Sequence, residues 1–180
     1  NLEDIPPEAK VNGIMCREKP NGSVRVILNL TSPEGAAVND GIDPDLFPAT
    51  MSSTTKWLRV LNAAGKGCKF NKVDWSDAYK HQHVHLEDLN LQWFSWLGKG
   101  FCELCLIFGS KSSLGLYDRL AKLVLEIVCR EAGMARSMVC QHLDDCAGAA
   151  PADSMILERF DEEFHRVAAH LGIALAPRND

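Results

Sequence analysis

The sequence predicts an α+β fold, an antiparallel sheet with helices on one face. Three observations predict it. Apolar runs of strand length come in pairs around turn residues, two longer segments repeat apolar residues at helical spacing, and the two kinds alternate along the chain. The order is a strand, a strand pair, a helix, a hairpin, a helix and a strand, which suits a sheet covered by helices.

The elements follow in turn. Val11–Leu30 reads as a hairpin, with strands around Gly13–Cys16 and Val24–Leu30 and the turn signal Asn21-Gly22 between them. Residues 31–50 are rich in Pro, Gly, Asn and Asp and read as a loop. A helix capped near Ser52–Thr55 is expected to run to Ala64 and stop at Gly65-Lys66-Gly67. Cys68–Asp74 reads as a strand and Ser76–Lys80 as a helical turn. Gln92–Leu97 and Phe101–Ile107 read as paired strands joined through Gly98-Lys99-Gly100. Ser112–Arg130 is expected to be a helix with Leu116, Leu120, Leu123, Val124 and Ile127 on its core stripe. Met138–Leu143 and Cys146–Ala149 form a second hairpin with Asp144-Asp145 at its tip. Asp153–Leu171 reads as a helix capped by Asp153 and closed by Gly172, and Ile173–Ala176 as the start of a last strand.

Composition limits the possibilities. A chain of 180 residues with 46% hydrophobic and 24% charged residues fits one globular domain or two small lobes. No apolar run approaches the ~18 residues of a membrane span, and the first ten residues lack the features of a signal peptide. Seven cysteines at irregular spacing argue for reduced thiols rather than a disulfide framework, so an intracellular, non-secreted location is expected. A chain starting without Met is expected to be a piece of a longer one. The net charge of −5 argues mildly against a nucleic-acid partner, unless cations neutralise a cluster of carboxylates.

Three carboxylates carry the chemistry. Asp74 ends a strand, and Asp144 and Asp145 lie at a hairpin tip about 70 residues later. Adjacent strand residues point to opposite faces, so a tip is where both could approach one side. Converging carboxylates repel one another, and oxygen ligands of this kind suit Mg²⁺. A pair of such ions can promote phosphoryl transfer. A solvated Asp-Asp turn and an unrelated Asp would give the same spacing, since Asp is common in turns.

Five segments, in order, then resemble reverse transcriptases. Val73-Asp74-Trp75-Ser76-Asp77-Ala78-Tyr79 resembles motif A. Leu106-Ile107-Phe108-Gly109-Ser110-Lys111-Ser112-Ser113 resembles motif B. Gln141-His142-Leu143-Asp144-Asp145 resembles motif C, with His142 in place of the usual Tyr. Lys19-Pro20-Asn21-Gly22 through Arg25-Val26-Ile27-Leu28-Asn29-Leu30 is similar to the fingers hairpin, and Leu171-Gly172-Ile173-Ala174-Leu175 to motif D. Leu114 stands where motif B usually has Pro. The wording is most similar to the tyrosine-recombinase retrotransposons of the DIRS and Ngaro group.

The resemblance implies a polymerase palm with a partial fingers hairpin, residues 1–67 being fingers and 68–180 palm, with no thumb. It implies an RNA-directed DNA polymerase of a retroelement, with template-primer and deoxynucleotides as partners and no membrane. Asp74, Asp144 and Asp145 would be catalytic and would bind two Mg²⁺ ions, for which Mn²⁺ can substitute, with the Val73 backbone carbonyl as a further ligand. Lys19 and Arg25 would hold the β- and γ-phosphates. Arg17 is an equal candidate, because the hairpin register is open by a residue or two. Asp77, Ala78 and Tyr79 would contact the nucleotide, Tyr79 under the sugar, and Gly109 would let the backbone approach the base pair. Without a thumb the isolated chain is expected to be weakly active or inactive. The alternatives are a catalytically inert polymerase-derived module that binds RNA or serves as structure, and another palm enzyme such as a nucleotide cyclase.

Two further patterns are read as structural. His81, His83 and His85 would share one strand face, and Cys102 and Cys105 lie in a strand where residues three apart face opposite ways. Neither supplies a complete zinc ligand set.

Overall fold

The computed structural model describes residues 2–19 and 22–177. Their contacts form two compact units, each assembled from two stretches of chain: residues 1–48 with 79–117, and 49–78 with 118–180. This division does not follow the boundary expected at residue 67. The reason is that the strands after residue 92 join the sheet begun by the first hairpin.

The first unit holds a four-stranded sheet. Strands β1 (Val11–Glu18) and β2 (Val24–Asn29) pair antiparallel, as do β4 (Trp93–Trp96) and β5 (Lys99–Cys102). The order is β2-β1-β4-β5, and β1 meets β4 in parallel over two residue pairs, an exception to the all-antiparallel expectation. Buried Asn12 holds that junction, its Nδ2 lying 2.8–3.0 Å from the carbonyls of Lys10, Leu91 and Trp93. Leu28, Leu30 and Ile107 form the local core with Ile14, Val38 and Phe94 against them. The turn residues Pro20 and Asn21 lie outside the described residues.

Three details differ from expectation here. The β4–β5 turn is Leu97-Gly98, both left-handed at φ 48° and 72°, so β5 starts at Lys99 and ends at Cys102. That conformation matches a two-residue hairpin turn, which the glycine pair at 98 and 100 obscured. Ala78–His81 and Leu86–Leu91 form 3₁₀ turns, and between them only His83 makes a β-bridge, so His81, His83 and His85 do not share the face of one strand. His83 instead bridges to Cys105, and His85 accepts a hydrogen bond from the Glu87 amide.

The second unit is a three-stranded antiparallel sheet with order β3-β7-β6. Its strands are β3 (Lys69–Asp74), β6 (Val139–His142) and β7 (Asp145–Ala150). Helix α3 (Ile156–Leu171) buries Leu157, Phe160, Phe164, Val167 and Ala168, a stripe at helical spacing. Leu157 packs beside Gly148, on the face opposite Ala149. Helix α1 (Thr54–Ala64) packs Val60 and Ala64 on Cys140 and Ala149, so it covers part of the other face. The Ser53 hydroxyl caps α1, as its sequence predicts, and Gly65 ends it at φ 87°.

Helix α2 (Ser113–Ala132) is rotated from the expected stripe. Tyr117, Ala121, Val124, Leu125, Val128, Cys129 and Ala132 are buried, whereas Leu123 is 59% exposed. Apolar residues lie on several sides of this helix, and the larger leucines drew the expected stripe away from the small residues that allow close packing. Helix α3 starts at Ile156, three residues after the expected cap. The Ser154 hydroxyl, rather than Asp153, accepts from the Ile156 amide. Gly172 closes α3 in the left-handed conformation, as expected. The last strand reduces to a single bridge between Trp75 and Leu175. No helix among the described residues is long and apolar enough to cross a membrane.

Candidate metal centre

The pairing of β3 with β7 builds the site. Asp74 is the last residue of β3 and Asp145 the first of β7, and the two are direct cross-strand partners. Asp144 lies in the turn after β6, where Leu143 takes the left-handed conformation at φ 54°. Asp145 is therefore a strand residue paired with His142, and the tight turn is Leu143-Asp144. The Trp75 amide donates to the Asp144 carbonyl at 3.2 Å, and the Ala176 amide donates to the Asp74 carbonyl at 2.8 Å. Backbone bonds thus fix the chain on both sides of Asp74. Trp75, 2% exposed, anchors it from below.

One carboxylate oxygen from each of Asp74, Asp144 and Asp145 lies within 4.8 Å of the others. All three groups are half-buried. Burial pushes the Asp74 carboxyl above its ordinary range, and the charges of Asp145 and Asp144 push it further, while Lys72 opposes them. A group held uncomfortably as an anion, among other anions, is stabilised by a cation. Three oxygen donors at this spacing fit a hard divalent ion. Among the described residues this is the one cluster of three or more possible metal-ligating side chains.

Lys72 was not singled out by the sequence. Its ammonium lies 2.8 Å from Asp145 Oδ1. The hydrogen bond to Asp145 holds its pKa above the usual lysine value, against the effect of burial. The period-two signal was available, since a residue two before Asp74 on a strand shares its face.

The remaining candidates of this unit are placed as follows. Val73 is buried opposite Cys146. Asp77 is exposed at φ 49°, a left-handed position that Asp tolerates, and Ala78 is buried at the start of a 3₁₀ turn.

In the first unit, several candidates meet through aromatic rings. Arg25 lies over the Phe108 ring at 4.6 Å. Phe108 packs on Tyr79 with centroids 4.7 Å apart, and Tyr79 meets Tyr117 edge-on at 5.6 Å. The hairpin register places Arg17 directly opposite Arg25. Like charges in that position are unfavourable without an anion to share. Lys19 closes the hairpin, its amide donating to the Ser23 carbonyl.

Gly109 has a packing reason for being glycine. It sits at φ 107°, and a Cβ there would lie 2.3 Å from the Leu28 carbonyl oxygen. Asn39, 2% exposed, clamps the same loop. Its amide donates to the Gly109 carbonyl at 2.7 Å, and its oxygen accepts from the Lys111 amide at 3.0 Å. Phe108 lies in the segment that resembles motif B, but neither its packing on Arg25 nor the clamp by Asn39 was expected, because the loop that brings Asn39 there has no periodicity.

The described fold matches solved structures of foamy virus protease-reverse transcriptases. One, of the protein in complex with double-stranded DNA, aligns at TM-score 0.66 and 17% identity over 92% of this chain and 26% of that one. The selenomethionine-labelled mutant of the prototype foamy virus enzyme aligns at 0.65 and 18%, over 92% of this chain and 20% of that one. The fold is reverse-transcriptase-like. A second DNA complex, at TM-score 0.62 and 16% identity, covers 92% of this chain and 29% of the other. The chain therefore spans about a quarter of the length of these proteins. No protein-family model matches the sequence, and no curated protein does.

Proposed function

We propose that this chain carries the nucleotidyl-transfer centre of an RNA-directed DNA polymerase, of the kind found in retroelements. The observation that carries the reading is the convergence of Asp74, at the end of β3, with Asp144 and Asp145, at the β6–β7 turn, within 4.8 Å on a reverse-transcriptase-like fold. Two Mg²⁺ ions bound there would supply charge neutralisation at the attacking and leaving oxygens of phosphoryl transfer. Asp74, Asp144 and Asp145 would hold these ions, Asp145 as the weaker or outer ligand, with the Val73 carbonyl as a further donor.

The other roles follow from chemistry. Arg25 offers a guanidinium fork for phosphate oxygens, and Lys19 a point charge. Arg17, opposite Arg25, makes the hairpin a paired cationic surface suited to a triphosphate. The Phe108 face holds the Arg25 guanidinium, which lowers the entropy lost when it binds. Tyr79 presents a ring to the deoxyribose, where a 2′-hydroxyl would clash, with Asp77 and Ala78 beside it in sequence. Gly109 keeps its loop free of a side chain. Sequence choice is left to base pairing with the template, so the protein reads duplex shape. The wording of the motifs favours a tyrosine-recombinase retrotransposon as the parent element.

Primer extension tests this reading. With template-primer, deoxynucleotides and Mg²⁺ or Mn²⁺, the chain is expected to show weak extension that Asp144→Asn abolishes. Extension unaffected by Asp144→Asn overturns the assignment. A folded chain that binds RNA yet neither extends a primer nor binds Mn²⁺ supports an inert module instead.

A further inference from the structure

Strand alternation places Phe70, Lys72 and Asp74 on one face of β3. The register sets Lys72 opposite Ala147 and Asp74 opposite Asp145. Lys72 therefore reaches its diagonal neighbour, and its ammonium meets Asp145 Oδ1 at 2.8 Å. Both side chains are about half exposed, at 54% and 43%. An exposed pair of this kind adds little stability by itself. Its position gives it another consequence. Asp145 is one of three carboxylates gathered within 4.8 Å, so the lysine charge acts on a cluster whose members repel one another.

We infer that Lys72 is a built-in counter-ion of the acidic triad, a positioning residue that stabilises the metal-free site and weakens its hold on divalent cations. The inference rests on the reading of Asp74, Asp144 and Asp145 as a divalent-cation site. Two effects act in the same direction. The ammonium relieves repulsion among the carboxylates when no cation is bound, which lowers the free energy of the empty state. It also repels an arriving divalent ion. Both loosen cation binding, and both disappear when the charge is removed. The opposing effect, loss of orientation at a single carboxylate, is the freedom of one short side chain, the smaller quantity. Linkage then requires that whatever Lys72 contributes to the empty fold is withdrawn from cation affinity. The lysine sets the cation concentration at which the site fills.

Titration calorimetry of the 180-residue chain with MnCl₂, paired with thermal unfolding in EDTA, tests this. Lys72→Met is expected to bind Mn²⁺ about 3- to 10-fold more tightly than wild type and to unfold at a lower temperature in EDTA, a gap that closes at saturating Mn²⁺. Lys72→Arg is expected to restore wild-type values in both. The affinity difference should shrink in high KCl, as an interaction between partly exposed charges does. A folded Lys72→Met chain with unchanged or weaker Mn²⁺ affinity overturns the inference; if that variant does not fold, Lys72→Gln gives the same comparison. Asp74→Asn serves as the control for the site. If wild type and Asp74→Asn bind Mn²⁺ equally, or neither binds, the reading of the site fails and this inference falls with it. If only Lys72→Met behaves as wild type, the site reading stands and the inference alone is lost.

Discussion

At the residue scale, Asp74 holds an unfavourable charge. Burial and two neighbouring carboxylates raise its pKa. Because its folded value lies above its unfolded one, Asp74 supports the metal-free fold below the ordinary carboxylate range and loses that contribution as pH rises through the raised value. Replacing it with neutral Asn should raise the melting temperature in EDTA near neutral pH, while removing Mn²⁺ affinity. The gain should vanish in acid, where Asp74 is already protonated; a melting temperature that falls on Asp74→Asn near neutral pH would contradict this account of the charge. Thiols give a second check at the same scale. Burial pushes Cys146 up to about 12 and Cys129 to about 11, whereas Cys16 is exposed. Native alkylation with iodoacetamide near pH 8, read by mass spectrometry, should label Cys16 and spare Cys129 and Cys146.

The convergence of Asp74, Asp144 and Asp145 was legible in the sequence, for a definite reason. Asp74, Asp144 and Asp145 sit where strands end, and β3 and β7 pair so that two of them become neighbours. Lys72 was legible in principle from strand alternation. Asn39 was not, because its contact with Gly109 joins positions 70 apart through an aperiodic loop.

At the scale of elements, hairpins and helices obeyed local chemistry and departed from it where two signals competed. The Ser53 cap and the Gly172 stop follow directly from their residues. In the β4–β5 hairpin, Leu97 adopts a left-handed turn position that costs a non-glycine residue about 1–2 kcal/mol, while 84% of its surface is exposed. Little packing is lost by replacing it. Leu97→Asn, which creates an Asn-Gly turn, should raise the melting temperature by about 2–4 °C, measured by calorimetry, and a lowered value would show that the turn is not of this type. Helix α2 shows the other limit of sequence reading. Periodicity located the helix, but tertiary packing chose the Tyr117–Ala121–Leu125 side over the leucine-rich one.

For the whole molecule, charge is the main constraint on partners. A net charge of −5 and an isoelectric point near 5.7 oppose binding to nucleic acid, and three of the acids are gathered at the proposed centre. Cation binding there changes the balance. Affinity for a template-primer duplex, measured by fluorescence anisotropy at constant ionic strength, should therefore rise when EDTA is replaced by Mg²⁺. That rise should be lost in Asp144→Asn, and an equal rise in the variant would place the effect elsewhere. The two-unit organisation was not legible from chain order, because the parallel contact between β1 and β4 returns a late segment to an early sheet.

The proposed centre depends most on a divalent ion being held jointly by the carboxylates of β3 and of the β6–β7 turn. The most direct measurement is an anomalous difference map from crystals of this chain grown with Mn²⁺. A peak about 2–2.3 Å from oxygens of both Asp74 and Asp144 is the expected result. Well-ordered carboxylates with Mn²⁺ bound elsewhere, or bound nowhere, would contradict it.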